Sequence, residues 1–176
     1  MKSKSGQVWI ETVLYTVIGL ALIGLVLAFV TPKVNETKDR IVVEQTIDSL
    51  NKLDEKMNLE SGNVRNIDFM IKRGSLEINT SGDDLIFTIE DITKPYSEPN
   101  VTINFGRIEL ISQLEQKSSS IKMRLNYGGR LNITYDNKDN VNQKFTAAAT
   151  PYRFLISNEG AENGLYRVNI EEISGG

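Results

Sequence analysis

An uninterrupted apolar run near the N-terminus constrains this chain more than any other feature. Residues Val8–Val30 read VWIETVLYTVIGLALIGLVLAFV, and Glu11 is the one charged side chain among them. As an α-helix the run extends roughly 35 Å, slightly more than the ~30 Å hydrocarbon core of a bilayer. A secretory signal peptide has a shorter apolar centre and a small-residue cleavage site just beyond it, whereas here Phe-Val-Thr-Pro ends the run. The sequence therefore predicts a membrane-spanning helix that stays on the protein.

Glu11 needs a physical explanation. A carboxylate in a membrane helix is costly unless it lies near an interface, is neutralised or meets a partner. One interpretation is that Glu11 lies about one helical turn inside the run and reaches back to the lipid headgroups. Another depends on the residues before it, because Met1–Gly6 read MKSKSG, a short basic leader that ends in glycine, and Gln7 heads the apolar helix.

The segment KSKSG-QVWIE resembles the class III signal of type IV prepilins and archaeal pilins. In that family a prepilin peptidase cuts before the hydrophobic segment, which remains on the mature protein, and the fifth mature residue is typically glutamate. A cut between Gly6 and Gln7 makes Glu11 that fifth residue. The resemblance covers roughly residues 1–31. Gln7 in place of phenylalanine favours an archaeal relative, and Trp9 stands where one archaeal subgroup has serine.

The resemblance implies a structural subunit, major or minor, of an archaeal type IV pilus-like surface filament. It implies that the freed ammonium of Gln7 pairs with Glu11 between neighbouring subunits, and a charge pair in low dielectric fixes register even when its net stabilisation is small. The implied partners are the membrane, a prepilin peptidase, identical or related pilin subunits, an assembly ATPase and a platform membrane protein. The precursor would be a single-pass membrane protein with a cytoplasmic leader and an external C-terminal domain.

The work of such a filament, whether adhesion, motility or uptake, is left open by the sequence. An archaellin is less favoured, since nothing in the C-terminal region points to a motility filament. The main alternative is a single-span membrane-anchored surface protein with an uncleaved N-terminus, whose β domain binds a ligand or partner. The two interpretations differ at one bond, Gly6–Gln7.

Composition argues against an enzyme. The chain has neither histidine nor cysteine, which removes thiolate nucleophiles, disulfides, the usual zinc ligands and the commonest proton-transfer group. The net charge of -3, with basic residues scattered among acidic ones, predicts no binding of nucleic acid.

The segment Ser118–Ser120 has no histidine to activate it, and Asp136–Asn140 lacks the glycine and the distant glutamate of an EF-hand loop. The chain has three pairs of adjacent carboxylates, and none has the spacing of a known catalytic or metal site: Asp83-Asp84, Glu90-Asp91 and Glu171-Glu172. We predict no metal site and no cofactor.

Four Asn-x-Ser/Thr sequons are candidate glycosylation sites: Asn35, Asn79, Asn100 and Asn132. They fit an external domain, although the motif also arises by chance in a chain rich in asparagine. Each is therefore either a glycan acceptor or an ordinary polar residue of a loop or strand.

The predicted fold class is α+β, a long N-terminal helix followed by an antiparallel β-rich domain. Pro32 is expected to kink or restart the helix, and Val34–Met57 predicts a second, amphipathic stretch. Its apolar stripe is expected to pack on the C-terminal domain. The stripe consists of Val43, Ile47, Leu50 and Met57.

Beyond Gly62, short β-type runs separated by turn residues predict the C-terminal domain. Gly128-Gly129 is expected to close a two-residue hairpin, and Asp136–Lys144 and Asn158–Gly164 are expected to be exposed loops. The predicted strands are Ile67–Ile71, Ser75–Asn79, Leu85–Glu90, Val101–Phe105, Ile121–Tyr127, Arg130–Tyr135, Tyr152–Ser157 and Tyr166–Ile170. The predicted divisions are a leader at 1–6, an apolar helix at 7–31, an amphipathic helix at 32–58 and a β-rich extracellular domain at 59–176.

Overall fold

The computed structural model describes residues 4–58, 60, 62–162 and 164–173, with side chains described from Val8 onward. Its first element is one continuous α-helix, α1 (Lys4–Met57), which is 54 residues long and contains Pro32. The expectation that the helix restarts at Pro32 is therefore wrong. Proline cannot donate the backbone hydrogen bond of an interior helical residue, but the bonding of the flanking turns carries α1 past it.

The chain divides into two compact units, Met1–Lys38 and Asp39–Gly176, here called the stem and the head. The head includes the second part of α1, so the helix contributes to both units. The predicted apolar stripe is confirmed: Val43, Leu50 and Met57 are no more than 1% exposed and Ile47 is 7% exposed. Leu53, which the predicted stripe omitted, is buried with them. The helix ends at Met57, as predicted.

In the described part of the chain, ten strands follow α1 and form two sheets. Their bounds are β1 (Val64–Phe69), β2 (Ser75–Asn79), β3 (Asp84–Ile92), β4 (Thr102–Phe105), β5 (Ile108–Leu114), β6 (Ser119–Asn126), β7 (Leu131–Tyr135), β8 (Asn142–Thr146), β9 (Tyr152–Glu162) and β10 (Leu165–Glu172). The four-stranded sheet has the order β1-β9-β10-β7, and the six-stranded sheet has the order β4-β5-β6-β3-β2-β8. Pairing is antiparallel except between β7 and β10, which run parallel. The α+β fold class predicted from the sequence is thus confirmed.

The hairpin predicted at Gly128-Gly129 is wrong, because β6 and β7 belong to different sheets. The Tyr127 carbonyl accepts hydrogen bonds from the backbone N–H groups of Arg130 and Leu131, so the turn passes the chain from one sheet to the other. Gly129 adopts a φ of 77°, a left-handed conformation that glycine reaches without steric cost.

The two predicted loops are also partly wrong. Residues Asn142–Thr146 form β8, which pairs with β2 at the edge of the six-stranded sheet. β9 continues to Glu162, and Asn158 is buried rather than exposed. β5 (Ile108–Leu114) was not predicted, although its Ile108 and Leu110 are fully buried.

Partly buried ionic groups fasten the helical part of the head to the strands. Asp54 on α1 accepts hydrogen bonds from the Arg107 guanidinium at 2.6 Å and from the Tyr127 hydroxyl at 2.8 Å. The Arg107 guanidinium also lies over the Tyr127 ring, 4.7 Å from its centroid. Burial, with the neighbouring Asp54 carboxylate, raises the pKa of the Tyr127 phenol well above its ordinary range. A hydrogen-bonded network of this kind, in which Tyr127 is fully buried, fixes one helix position against the sheets.

Candidate functional site

The stem presents an apolar surface on every side of the helix. Its large apolar side chains between Val8 and Val30 are all exposed, with Trp9 at 71%, Leu20 at 64% and Phe29 at 73%. The most apolar window of the helix has none of its residues buried, and α1 is long and apolar enough to cross a membrane. A helix that is apolar all round requires apolar surroundings, either lipid or other protein.

The hydroxyl groups within this surface are satisfied by the helix itself. Thr12 donates to the Val8 carbonyl at 2.9 Å, and Thr16 donates to the Thr12 carbonyl at 2.8 Å. Thr31, just beyond the run, donates to the Leu27 carbonyl at 2.8 Å. Because unsatisfied polar groups are costly in lipid or in a dry protein interior, these bonds suit the stem to either environment.

Glu11 lies on this apolar surface as an exposed side chain. The backbones of Gly6 and Gln7 lie in the first turns of α1, while Met1, Lys2 and Ser3 lie outside the described residues. Positions 7 and 11 are four apart and share one face of the helix. The two positions to which the family resemblance assigns a role in assembly therefore lie one helical turn apart, next to the predicted cleavage bond.

Charged residues return directly after the apolar run. Lys33 and Glu36 form an ion pair at 3.1 Å across one helical turn, and both side chains are solvent-accessible. Such an exposed pair adds little to stability. Its position marks where the surface of the stem changes from apolar to water-compatible.

Three of the adjacent carboxylates that the sequence presents, Asp83, Asp84 and Asp91, have structural partners in the fold. Asp84, only 2% exposed, is paired with the Arg124 guanidinium and accepts a hydrogen bond from the Asn79 amide at 3.0 Å. Asp83 accepts from the backbone N–H of Ile133 at 2.8 Å, and Asp91 accepts from the Ser118 hydroxyl at 3.3 Å. These contacts hold strands and turns together.

The Asp136–Asn140 segment forms a turn with local polar partners. Asn137 donates from its backbone to the Asn169 amide oxygen at 2.8 Å and from its side chain to Glu171 at 3.2 Å. Burial, with the nearby Asp136 and Glu172 carboxylates, raises the pKa of the neighbouring Tyr135 to about 12. Within the described part of the chain, no group of three histidine, cysteine, aspartate or glutamate residues is placed to hold a metal ion.

The four sequons differ in accessibility. Asn35 in the stem and Asn100, in the loop before β4, are exposed. The Asn79 side chain is engaged with Asp84 at the end of β2. In the Asn132 sequon, Thr134 is fully buried and bonds to Asn169 at 3.0 Å. Asn35 and Asn100 are therefore the most accessible asparagines of the four sequons.

The head also contains a groove that sequence reasoning missed. One wall is α1 from Val42 to Lys52, and the other consists of the end of β1 with Met70, Lys72 and Phe87. Its volume is about 270 Å³. Segments far apart in the chain converge here, so no local pattern could have indicated it.

Comparison with protein-family models, with curated proteins and with solved structures finds no match for this chain. The described residues offer two surfaces for association, the apolar stem and the groove of the head.

Proposed function

We propose that this chain is a pilin-like structural subunit, major or minor, of an archaeal type IV pilus-like surface filament. A prepilin peptidase removes residues 1–6, and the stem then carries the subunit from the membrane into the filament core. An assembly ATPase and a platform membrane protein drive this transfer. The single observation that carries the proposal is the run Val8–Val30, which is apolar on every side of the helix and has Glu11 as its one charge, five residues beyond Gly6.

The stem suits both stages of this process. Before assembly, its exposed apolar side chains between Val8 and Val30 contact lipid. After assembly, the same side chains contact neighbouring stems, and the internally bonded hydroxyls of Thr12 and Thr16 need no water in either state. The transfer exchanges one apolar environment for another, so its cost in exposed apolar area stays small.

Glu11 supplies the register. In a stack of otherwise apolar helices, many axial offsets have similar packing energies. A carboxylate that meets the new N-terminal ammonium of a neighbouring Gln7 selects one offset, because every other offset leaves a buried charge unpaired. The pair therefore acts on specificity more than on net stability.

The decisive experiment is intact-mass measurement and N-terminal sequencing of the protein from its native membranes or surface fraction. A chain that begins at Gln7 supports the proposal. A chain that retains Lys2–Gly6 supports the anchored surface protein instead. The variant Gly6→Ile is expected to block processing, because the β-branched side chain fills the place of the small residue before the cut, and an unchanged mature mass would count against this assignment.

The role of Glu11 is tested separately. Glu11→Ala is expected to leave cleavage largely intact while filament number and length fall sharply, as counted by electron microscopy. The matched control is Glu36→Ala, which removes a carboxylate from the charged end of the stem and is expected to leave assembly unchanged. Filaments of normal number and length from Glu11→Ala would argue against the pairing.

The alternative, a single-span anchored surface protein, is favoured by one observation: the apolar run matches the thickness of a bilayer without any need for a partner. In that case the leader stays on the protein and the head binds a ligand or partner. Because both candidates predict membrane association, localisation alone does not separate them, whereas the state of the Gly6–Gln7 bond does.

A further inference from the structure

We propose that neighbouring heads join through a knob-in-groove contact, in which the Leu114 hairpin tip of one copy enters the groove of the next copy. The groove is the one between Val42–Lys52 of α1 and the end of β1. This inference rests on the proposed function, because it describes how heads associate once the stems bring copies of the chain side by side.

The knob is an apolar side chain that the head holds out to solvent. Leu114 is 61% exposed, which is more than any other large apolar residue in the described part of the head. It ends β5, and the backbone N–H of Glu115 donates to the Ser118 carbonyl at 2.9 Å to close the turn to β6. A short hydrogen-bonded turn presents Leu114 in a fixed position, so little conformational entropy is lost when it binds.

The groove is suited in size and lining to such a side chain. Its lining includes Met70, which is 36% exposed, and Phe69 and Phe87, which are 1% exposed, together with polar side chains. Its volume of about 270 Å³ exceeds the ~150 Å³ of an apolar cavity that admits benzene. An unbranched, polarizable methionine adapts readily to an inserted apolar group.

The charges around the knob and the groove are complementary. Lys52 and Lys72 stand on the groove walls with Asp48, and Lys72 donates to the neutral amide of Gln45 at 3.1 Å, so that its positive charge is not neutralised there. The hairpin tip carries exposed Glu115 next to Leu114, followed by exposed Lys117. The tip thus offers a carboxylate to the two lysines of the groove and an ammonium to Asp48. Complementary rim charges of this kind select the partner and its orientation.

The contact has the symmetry that a filament requires. The hairpin tip and the groove are different surfaces of the same unit, so each head has one free tip and one free groove after joining a neighbour. A heterologous contact of this kind continues indefinitely unless its rotation closes a ring. The head would thus reinforce the same open-ended assembly that the stems build.

Cysteine pairing in filaments tests the contact directly, because the native chain contains no cysteine. The full-length double variant Met70→Cys with Leu114→Cys is assembled into surface filaments, sheared off, oxidised and run on a non-reducing gel. We expect a ladder of dimers, trimers and larger species that collapses on reduction. Each single variant is expected to stay monomeric, because neither cysteine meets a copy of itself.

Charge reversal provides the second test and does not depend on disulfide geometry. Glu115→Lys is expected to lower filament yield severalfold, since it places a third positive charge beside Lys52 and Lys72. Adding Lys52→Glu to the same chain is expected to restore most of the yield. The matched control, Glu98→Lys, changes an exposed glutamate elsewhere on the head and is expected to leave the yield unchanged.

The outcomes separate this inference from the proposed function. If filaments form from chains that begin at Gln7 but the double-cysteine variant gives only monomers, the head contact is wrong and the filament proposal stands. Dimers from Leu114→Cys alone, or unchanged yield from Glu115→Lys, also overturn the contact. A wild-type chain that keeps its leader and forms no filament overturns both.

Discussion

The two halves of α1 have the same backbone structure but opposite surroundings. In the stem, apolar residues are continuous and every large apolar side chain between Val8 and Val30 is exposed. In the head, apolar residues recur at spacings of three, four and seven among charged ones, and the resulting stripe is buried. The pattern of side chains, not helix propensity, decides what a helix contacts. One uninterrupted helix therefore serves two environments.

A carboxylate placed in each half of α1 tests whether only the stem requires apolar surroundings. Leu22→Asp introduces a carboxylate in the middle of the apolar run and is expected to cost about 3–4 kcal/mol of membrane insertion. Ile41→Asp, at a position 46% exposed on the head part of α1, is expected to have no effect on insertion. The measurement is the fraction of protein that resists extraction of membranes with alkaline carbonate. Equal retention of both variants would contradict the assignment of the stem to lipid.

Truncation of one leucine in each half of α1 tests whether only the buried stripe stabilises the head. Leu50→Ala removes a side chain that is 1% exposed and is expected to destabilise the head by about 3 kcal/mol, because it leaves a cavity in a packed core. Leu25→Ala, at a position 59% exposed, is expected to leave head stability unchanged. Thermal unfolding of the full chain in detergent, followed by near-UV circular dichroism, compares the two. Similar melting shifts for both variants would show that the stripe does not anchor the head.

Asp39, the first residue of the head, is expected to make a small, pH-dependent contribution to the stability of the head. Burial of this carboxyl raises its pKa, but hydrogen bonds from the Thr93 backbone and from Arg73 outweigh burial and hold the pKa below the ordinary value of 3.8. Its contribution to stability is therefore present above that value and lost as pH falls through the folded-state pKa.

We accordingly expect the melting temperature of the wild-type head to fall more steeply, as pH drops below the ordinary carboxyl value of 3.8, than that of Asp39→Asn. The variant is expected to be less stable near neutral pH and to approach the wild type in acid. Parallel pH profiles for the two proteins would show that Asp39 does not anchor this end of the head.

Much of the fold could be predicted because local patterns carry it. The end of α1 at Met57, the buried stripe and the exact extent of β2 follow from periodicity and turn residues. β8 was missed because it is an edge strand with polar Asn142, Gln143 and Lys144, which resemble a loop in isolation. The sheet exchange at Gly128-Gly129 was missed because partner choice between distant strands leaves no local sequence signal.

The candidate sites divide in the same way. Glu11 and Gln7 could be singled out because a charge in an apolar run is visible in the sequence, and their role remains a prediction. The groove could not be found, since its walls come from α1, β1 and β3. Likewise, nothing in the sequence showed that Asp84 is fixed by Arg124 and Asn79.

The strand order also sets the timing of biosynthesis. β1, the first strand made, pairs only with β9 among the strands of its sheet, and β9 leaves the ribosome near the end of synthesis. Until then β1 has no partner in its sheet, and the incomplete head exposes apolar surface that favours aggregation. A half-built head is therefore exposed to its neighbours for as long as synthesis continues beyond β1. The arrival of β9, rather than the folding of any earlier strand, completes the four-stranded sheet.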